Sequence, residues 1–254
     1  METSFNDLRD QSVFITGGGS GIGAALSEGF IKAGARVAFI GRSDASRFCD
    51  SLEARYGRRL LFIQGDIRQV ERLHEAIDSA ARQHGGLQVL VNNAADDQRH
   101  LPEAVDEAYW EQSMAVNLKA YFFACQRAAD YMKRQGGGSI INLSSISYMM
   151  GQAGYPLYAT ANSGINGMTR ALAREWGGQH IRVNALAPGW VMTQKQSDLW
   201  VSEAALKEHL ARQCLPDPLE PEDLVGATLF LASTLSKAMT GQALVVDGGV
   251  VVTG

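Results

Sequence analysis

Short apolar runs alternate along this chain with longer stretches in which apolar residues recur every three or four positions. Ser12 to Thr16 (SVFIT) is the first run, and it ends in glycines at 17, 18, 19, 21 and 23. Ala24, Ala25, Leu26, Phe30 and Ile31 follow at helical spacing up to Gly34, a plausible C-cap, and Arg36 to Ile40 (RVAFI) reads as a second strand. The pattern repeats with a strand at Leu60 to Gln64, a helix at Val70 to Arg82, a strand at Val89 to Val91 and one long amphipathic helix from Tyr109 to Met132. A strand through Ile140, Ile141 and Leu143, a helix from Tyr158 to Trp176 and a strand at Ile181 to Leu186 come next, then a helix at Glu222 to Ala232 and a strand at Ala243 to Val246. Strand and helix in strict alternation predict one α/β domain over residues 1–254, with no linker, repeat or low-complexity tract to divide it. Residues 194–220 carry no strand pattern and are polar and aromatic, with Pro216 and Pro218 near their end, which predicts a lid of two helices.

Composition narrows the class of protein. The length of 254 residues suffices for a sizeable core. A net charge of -4, with 20% charged residues, suggests neither a nucleic-acid surface nor an acidic disordered tail. The first ten residues are polar, and no apolar run approaches the ~18 residues of a membrane span, so no membrane partner is expected. Cys49, Cys125 and Cys214 are odd in number and far apart, which argues against a disulfide framework and for a reducing, cytoplasmic setting. The five histidines lack metal-like pairing, so no metal is expected.

Candidate chemistry gathers at the predicted strand ends. Gly17, Gly21 and Gly23 lie in the turn between the first strand and helix, with Ser20 among them, where backbone N–H groups and the helix N-terminus can receive a pyrophosphate. After the second strand stands Arg42 and no acid; this leans toward NADP over NAD, and the alternative is a solvated loop cation stacking on adenine. Asp66 either accepts a hydrogen bond from an adenine amine or caps the following helix. Asp96, Asp97, Gln98, Arg99 and His100 crowd one loop where a polyhydroxylated or anionic substrate would sit, or are a solvated loop. Asn117 lies inside a helix it disfavours, marking either a local distortion near a site or a harmless polar position. Ser144 and Ser145 close one strand, and Tyr158 opens the next helix, so hydroxyls and a phenol can converge on one reacting group. A phenol with an ordinary pKa of about 10 needs a neighbouring cation to act as a base near neutral pH. One helical turn on, where such a cation would stand, the chain has Asn162.

Taken together, Thr16-Gly17-x3-Gly21-Ile22-Gly23, Asn92-Asn93-Ala94, Asn117, Ser145, Tyr158, Pro188-Gly189 with Thr193, and Asp247-Gly248-Gly249 resemble the short-chain dehydrogenase/reductase family over nearly the whole chain. The resemblance implies a doubly wound (Rossmann) fold with a parallel sheet of about seven strands and helices on both faces. It also implies hydride transfer between an alcohol or carbonyl and NAD or NADP. Tyr158 would be the general acid/base, Ser145 would hold the reacting oxygen, and Asn117 would help position a relay water. The glycine loop (Gly17, Ser20, Gly21, Ile22, Gly23) would hold the pyrophosphate, Asp66 and Ile67 the adenine, Asn93 would lie beside the adenosine ribose, and Pro188, Val191 and Thr193 near the carboxamide. Asn162 replaces the family's lysine, which lowers the tyrosine's pKa and binds the nicotinamide ribose. Each pKa unit lost is roughly tenfold in phenolate, so the resemblance predicts cofactor binding with impaired oxidation. Residues 96–100, Ser145-Ile146-Ser147 and Gln213-Cys214-Leu215 are similar to sugar 1-dehydrogenases that oxidise a pyranose to its lactone. Asp97, Arg99, His100, Ser145, Ser147, Gln152 and Trp190 would then face a sugar or sugar acid. A homotetramer is implied. The rivals are a cofactor-binding member without turnover and a reductase of another carbonyl substrate.

Overall fold

The structure, a computed structural model, describes residues 5–151 and 153–252; the expected substrate residue Gln152 lies outside them. Seven strands, β1 (Ser12–Thr16), β2 (Arg36–Gly41), β3 (Leu61–Gln64), β4 (Val89–Asn92), β5 (Gly138–Leu143), β6 (Ile181–Pro188) and β7 (Ala243–Val246), form one parallel sheet in the order β3-β2-β1-β4-β5-β6-β7. The order reverses between β1 and β4, which opens a crevice at their C-terminal ends. Register is set by contacts such as Phe14 opposite both Ala38 and Leu90. β1 is buried at every position, as a strand covered on both faces must be.

Ten α-helices flank the sheet among the described residues: α1 (Gly21–Lys32), α2 (Ser46–Tyr56), α3 (Val70–His84), α4 (Glu107–Met114), α5 (Ala120–Arg134), α6 (Ser147–Met150), α7 (Pro156–Trp176), α8 (Gln194–Leu199), α9 (Glu203–Leu210) and α10 (Asp223–Ala232). The core divides into two layers. Phe30 and Leu26 of α1, Leu52 of α2 and Leu224 of α10 pack with Phe39 on one face. Leu73 and Ile77 of α3, Ala124 and Ala128 of α5, and Leu172 and Trp176 of α7 pack with Phe14 on the other. Each buried leucine, isoleucine or phenylalanine among these contributes about 2 kcal/mol. Arg127 of α5 joins Asp78 of α3 through two 2.7 Å contacts, with the Tyr131 hydroxyl donating to the same carboxylate at 2.8 Å.

Three local features differ from expectation. The stretch after Arg42 contains a full helix, α2, whose Phe48, Cys49, Leu52 and Tyr56 lie on one face within a polar sequence. The loop between Ser145 and Tyr158 holds the short helix α6. The long helix expected from Tyr109 to Met132 is divided by a π-helical turn at Ala115–Lys119, which separates α4 from α5 with Asn117 at its centre. That outcome favours the distortion reading of Asn117 over the harmless one.

Candidate active site

The glycine loop is shaped by backbone demands that only glycine meets. Gly17 has φ +71°, and a Cβ on Gly23 would stand 1.9 Å from the Gly17 carbonyl oxygen. Thr16 and Asn93 fasten this loop to the end of β4: the Thr16 hydroxyl accepts from the N–H groups of Asn93 and Ala94 at 2.9 and 3.0 Å, and Asn93 Nδ2 donates to the carbonyls of Thr16 and Gly17. The Asn93 amide nitrogen therefore holds the loop. Ser20 precedes α1 in extended conformation, so the first N–H groups of that helix face the crevice.

From this loop a cleft of about 1020 Å³ runs across the C-terminal ends of the strands, lined by Gly17, Ser20, Gly21, Ile22 and Gly23 at one end. Arg42, Asp66, Ile67, Asn93, Pro188, Val191 and Thr193 line it too, so the residues assigned above to the cofactor all meet in one space. Arg42 is exposed at its rim. Asp44, which the sequence reading passed over, also lines the rim, and its Oδ1 accepts from the Ser46 N–H and hydroxyl at 3.0 and 2.6 Å. The cap reading of Asp66 fails: α3 is preceded by Gln69, and Asp66 instead accepts from the Arg68 backbone N–H and guanidinium, which lowers its pKa. These residues fit a dinucleotide: a close-approach loop for pyrophosphate, an acid and apolar Ile67 for adenine, and a large cleft beyond.

At the middle of the cleft, β5 and α7 bring Ser145, Tyr158 and Asn162 together. Burial pushes the Tyr158 phenol up to about 12; the charge of Asp97 adds to the rise, and hydrogen bonding from Asn162 and Ser145 opposes it. Asn162 is buried, and its Nδ2 donates to the Tyr158 backbone carbonyl at 2.8 Å, one turn back along α7. One N–H of that amide remains for another acceptor, with no positive charge. Ser145 Oγ accepts from the Ser147 N–H at 3.1 Å, while Ser147 Oγ is buried in the cleft without a partner among the described residues. Asn117 is committed elsewhere: its Oδ1 accepts from the Asp96 N–H at 2.8 Å and its Nδ2 donates to the Asp96 carbonyl at 3.0 Å. The π turn thus anchors the loop after β4.

That loop does not behave as five free polar groups. His100 Nδ1 lies 2.9 Å from the Gln98 carbonyl and 3.1 Å from the Tyr109 hydroxyl, and Nε2 accepts from the Leu157 N–H at 3.4 Å. His100 lines the cleft, yet its ring is spent on locking the loop to α7. Asp97 is engaged by the lid: Lys195 Nζ lies 2.6 Å from its Oδ1, and Gln196 Nε2 donates to its Oδ2 at 2.5 Å. Burial opposes ionisation of Asp97, but Lys195 and Gln196 outweigh it and hold its carboxyl below the usual range. Gln196 Oε1 in turn accepts from Trp190 Nε1 at 2.8 Å, so a chain of hydrogen bonds crosses from β6 to the loop after β4.

The expected lid helices are α8 and α9. Thr193 caps α8 and lies against Gly21, while Val191 forms an isolated parallel bridge with Leu219 that joins the two ends of the segment. Arg99 lies over the rings of Tyr155, at 5.3 Å, and Trp200, at 5.1 Å. Tyr155, Lys195, Gln196, His209 and Arg212 are cleft residues that the sequence reading missed. Lys195 and Gln196 meet Asp97, and Tyr155 meets Arg99, across long stretches of chain, and no local spacing announces those contacts. Tyr155 alone had a signal, an aromatic side chain directly before Pro156 at the start of α7.

The comparisons agree with this architecture. A family profile described as Enoyl-(Acyl carrier protein) reductase matches residues 17–251. A protein named "Probable galactose dehydrogenase" from Rhizobium meliloti is 49% identical over 98% of both chains. The D-xylose 1-dehydrogenase of Caulobacter vibrioides is 40% identical over 96% of this chain and 97% of its own. Among solved structures, a blue fluorescent protein from a metagenomic library, in complex with NADPH, superposes with a TM-score of 0.88 at 35% identity, covering 97% of this chain and 100% of that one. The seven-stranded sheet, the glycine loop and these relatives together place the chain in the short-chain dehydrogenase/reductase family, as an NAD(P)-dependent oxidoreductase.

Proposed function

We propose that this enzyme oxidises a hydroxyl of a sugar or sugar acid, at the anomeric carbon, to the lactone. The observation that carries the reading is the half-buried Tyr158, its phenol beside Ser145 and Asn162, midway along a cleft that begins at the glycine loop. The sugar-dehydrogenase names of the relatives at 49% and 40% identity support the substrate class. In this reading Ser145 Oγ holds the reacting oxygen and Tyr158 takes its proton, while the bound nicotinamide supplies the hydride acceptor. The side chain of Asn117 is engaged by Asp96, so a relay water falls to its main-chain carbonyl in the π turn, a type of distortion common at functional sites. Arg42 at the rim favours NADP, and Asp44 close by is the acid that would compete for NAD. A cytoplasmic homotetramer, four times the 27.4 kDa chain, is part of the same proposal.

A phenol near 12 without a neighbouring ammonium makes this chain a slow oxidant. Progress curves at 340 nm for the chain and for Asn162→Lys, with NAD and NADP over a panel of aldoses and uronates, test the reading. Turnover at least tenfold faster in Asn162→Lys is expected. Equal rates would show that another group supplies the missing charge. The same observation supports a second reading, a member that binds cofactor without turnover; its mark would be cofactor binding with no reaction in either protein.

A further inference from the structure

The lid end of the cleft is rich in hydrogen-bond donors that the oxidation itself does not use. Trp200 Nε1 is buried without a partner among the described residues, and an indole N–H can only donate. Leaving a buried donor unmet is costly, so its place in the cleft wall points to an acceptor on the ligand. Arg99 lies over that same indole and over Tyr155, and the Arg212 charge also reaches Tyr155. Tyr155 in turn stacks edge-on to Tyr158 at 5.9 Å, which puts this wall next to the reacting centre and not upon it. His209 packs edge-on to Trp190 at 5.3 Å, and neither its Nε2 nor Gln213 Oε1 has a hydrogen-bond partner among the described residues. Of the acids nearby, Asp96 and Asp97 face Lys195; Glu208 of α9 lines the cleft, exposed as Arg212 is, and one carboxylate there leaves the wall with two arginines net positive.

Resting on the sugar reading above, we infer that the lid carries an anion subsite built from Arg99, Trp200 and Arg212. The sugar it takes bears a carboxylate or sulfonate at the carbon far from the one oxidised. Arginine suits the role because its paired N–H donors can meet two oxygens of such a group at once. His209 completes the subsite with whichever ring nitrogen the ligand requires.

Isothermal titration of the full-length protein saturated with oxidised cofactor, in the Tyr158→Phe background to prevent turnover, tests this directly. The probes are D-glucose and D-galactose, their uronates, and 6-deoxy-6-sulfoglucose. The anionic sugars are expected to bind at least tenfold more tightly than the neutral ones, and Arg99→Gln and Trp200→Phe should each bring that preference below threefold. The tryptophan variant keeps an aromatic ring under Arg99 and removes only the N–H. Carboxylate and sulfonate sources are told apart by comparing the uronates with the sulfosugar. Neutral sugars binding as tightly as the anionic ones would overturn the inference and leave the sugar reading standing, as would a preference unmoved by both substitutions. Cofactor binding with none of the sugars bound would overturn both.

Discussion

Asn162 is the side chain on which the proposed chemistry turns. With its amide donating to the Tyr158 carbonyl, it fixes the first turns of α7 but leaves the phenol at about 12. Deprotonated phenol at pH 8 is then on the order of one part in ten thousand. The oxidation rate is expected to climb about tenfold per pH unit through the alkaline range, because the ionised form is the active one and lies above the accessible pH. In Asn162→Lys the rise should begin at least one unit lower; a pH profile of kcat for both proteins checks it. Tyr158→Phe should lose turnover by more than a thousandfold while cofactor titration stays unchanged. Ser145, Tyr158 and Asn162 were legible in sequence because a strand, a loop and one helix carry them within eighteen positions. His100 was not: its residue type promised a ligand contact, and only the fold reveals that Gln98, Tyr109 and Leu157 already occupy its ring.

Among the elements, the lid and the loop after β4 meet at Asp97 with Lys195 and Gln196, and again where Arg99 lies over Trp200. The carboxylate is partly exposed, so the contact is worth about 1 kcal/mol or less. Asp97→Asn is expected to raise KM for the sugar by up to about fivefold. Since the Asp97 charge also lifts Tyr158, the same variant should move the alkaline rise of kcat toward lower pH; stopped-assay kinetics across pH separate the two effects. The lowered pKa of Asp97 means that its contact stabilises the folded lid above an ordinary carboxylate value and is lost as pH falls through the folded pKa, below 3.8. Gly23→Ala is expected to abolish cofactor binding and lower the melting temperature, because a methyl cannot share space with the Gly17 carbonyl. Strands and long helices were readable because burial on both faces writes continuous or periodic apolar patterns. The π turn was signalled only by the misfit of Asn117, and α2 was hidden by its polar composition.

Across the whole molecule, the two apolar layers bury Cys49 and Cys125, whereas Cys214 is exposed. A thiol reagent should titrate one cysteine per native chain and three after unfolding, and a reductant should leave the melting curve in place. The fold itself was the most legible feature, since seven strand patterns alternating with helices leave few ways to cover a parallel sheet. The substrate end was the least legible, because its walls come from 99, 155, 200 and 212, which meet only when the chain closes. The bridge between Val191 and Leu219 gives this end an independence of its own. A segment whose two ends are pinned to the body exerts little leverage on it, and doubling its length would cost only about 0.6 kcal/mol in closure entropy. The chain can therefore exchange one binding wall for another, by substitution or insertion between those pins, while the hydride-transfer floor below keeps its shape.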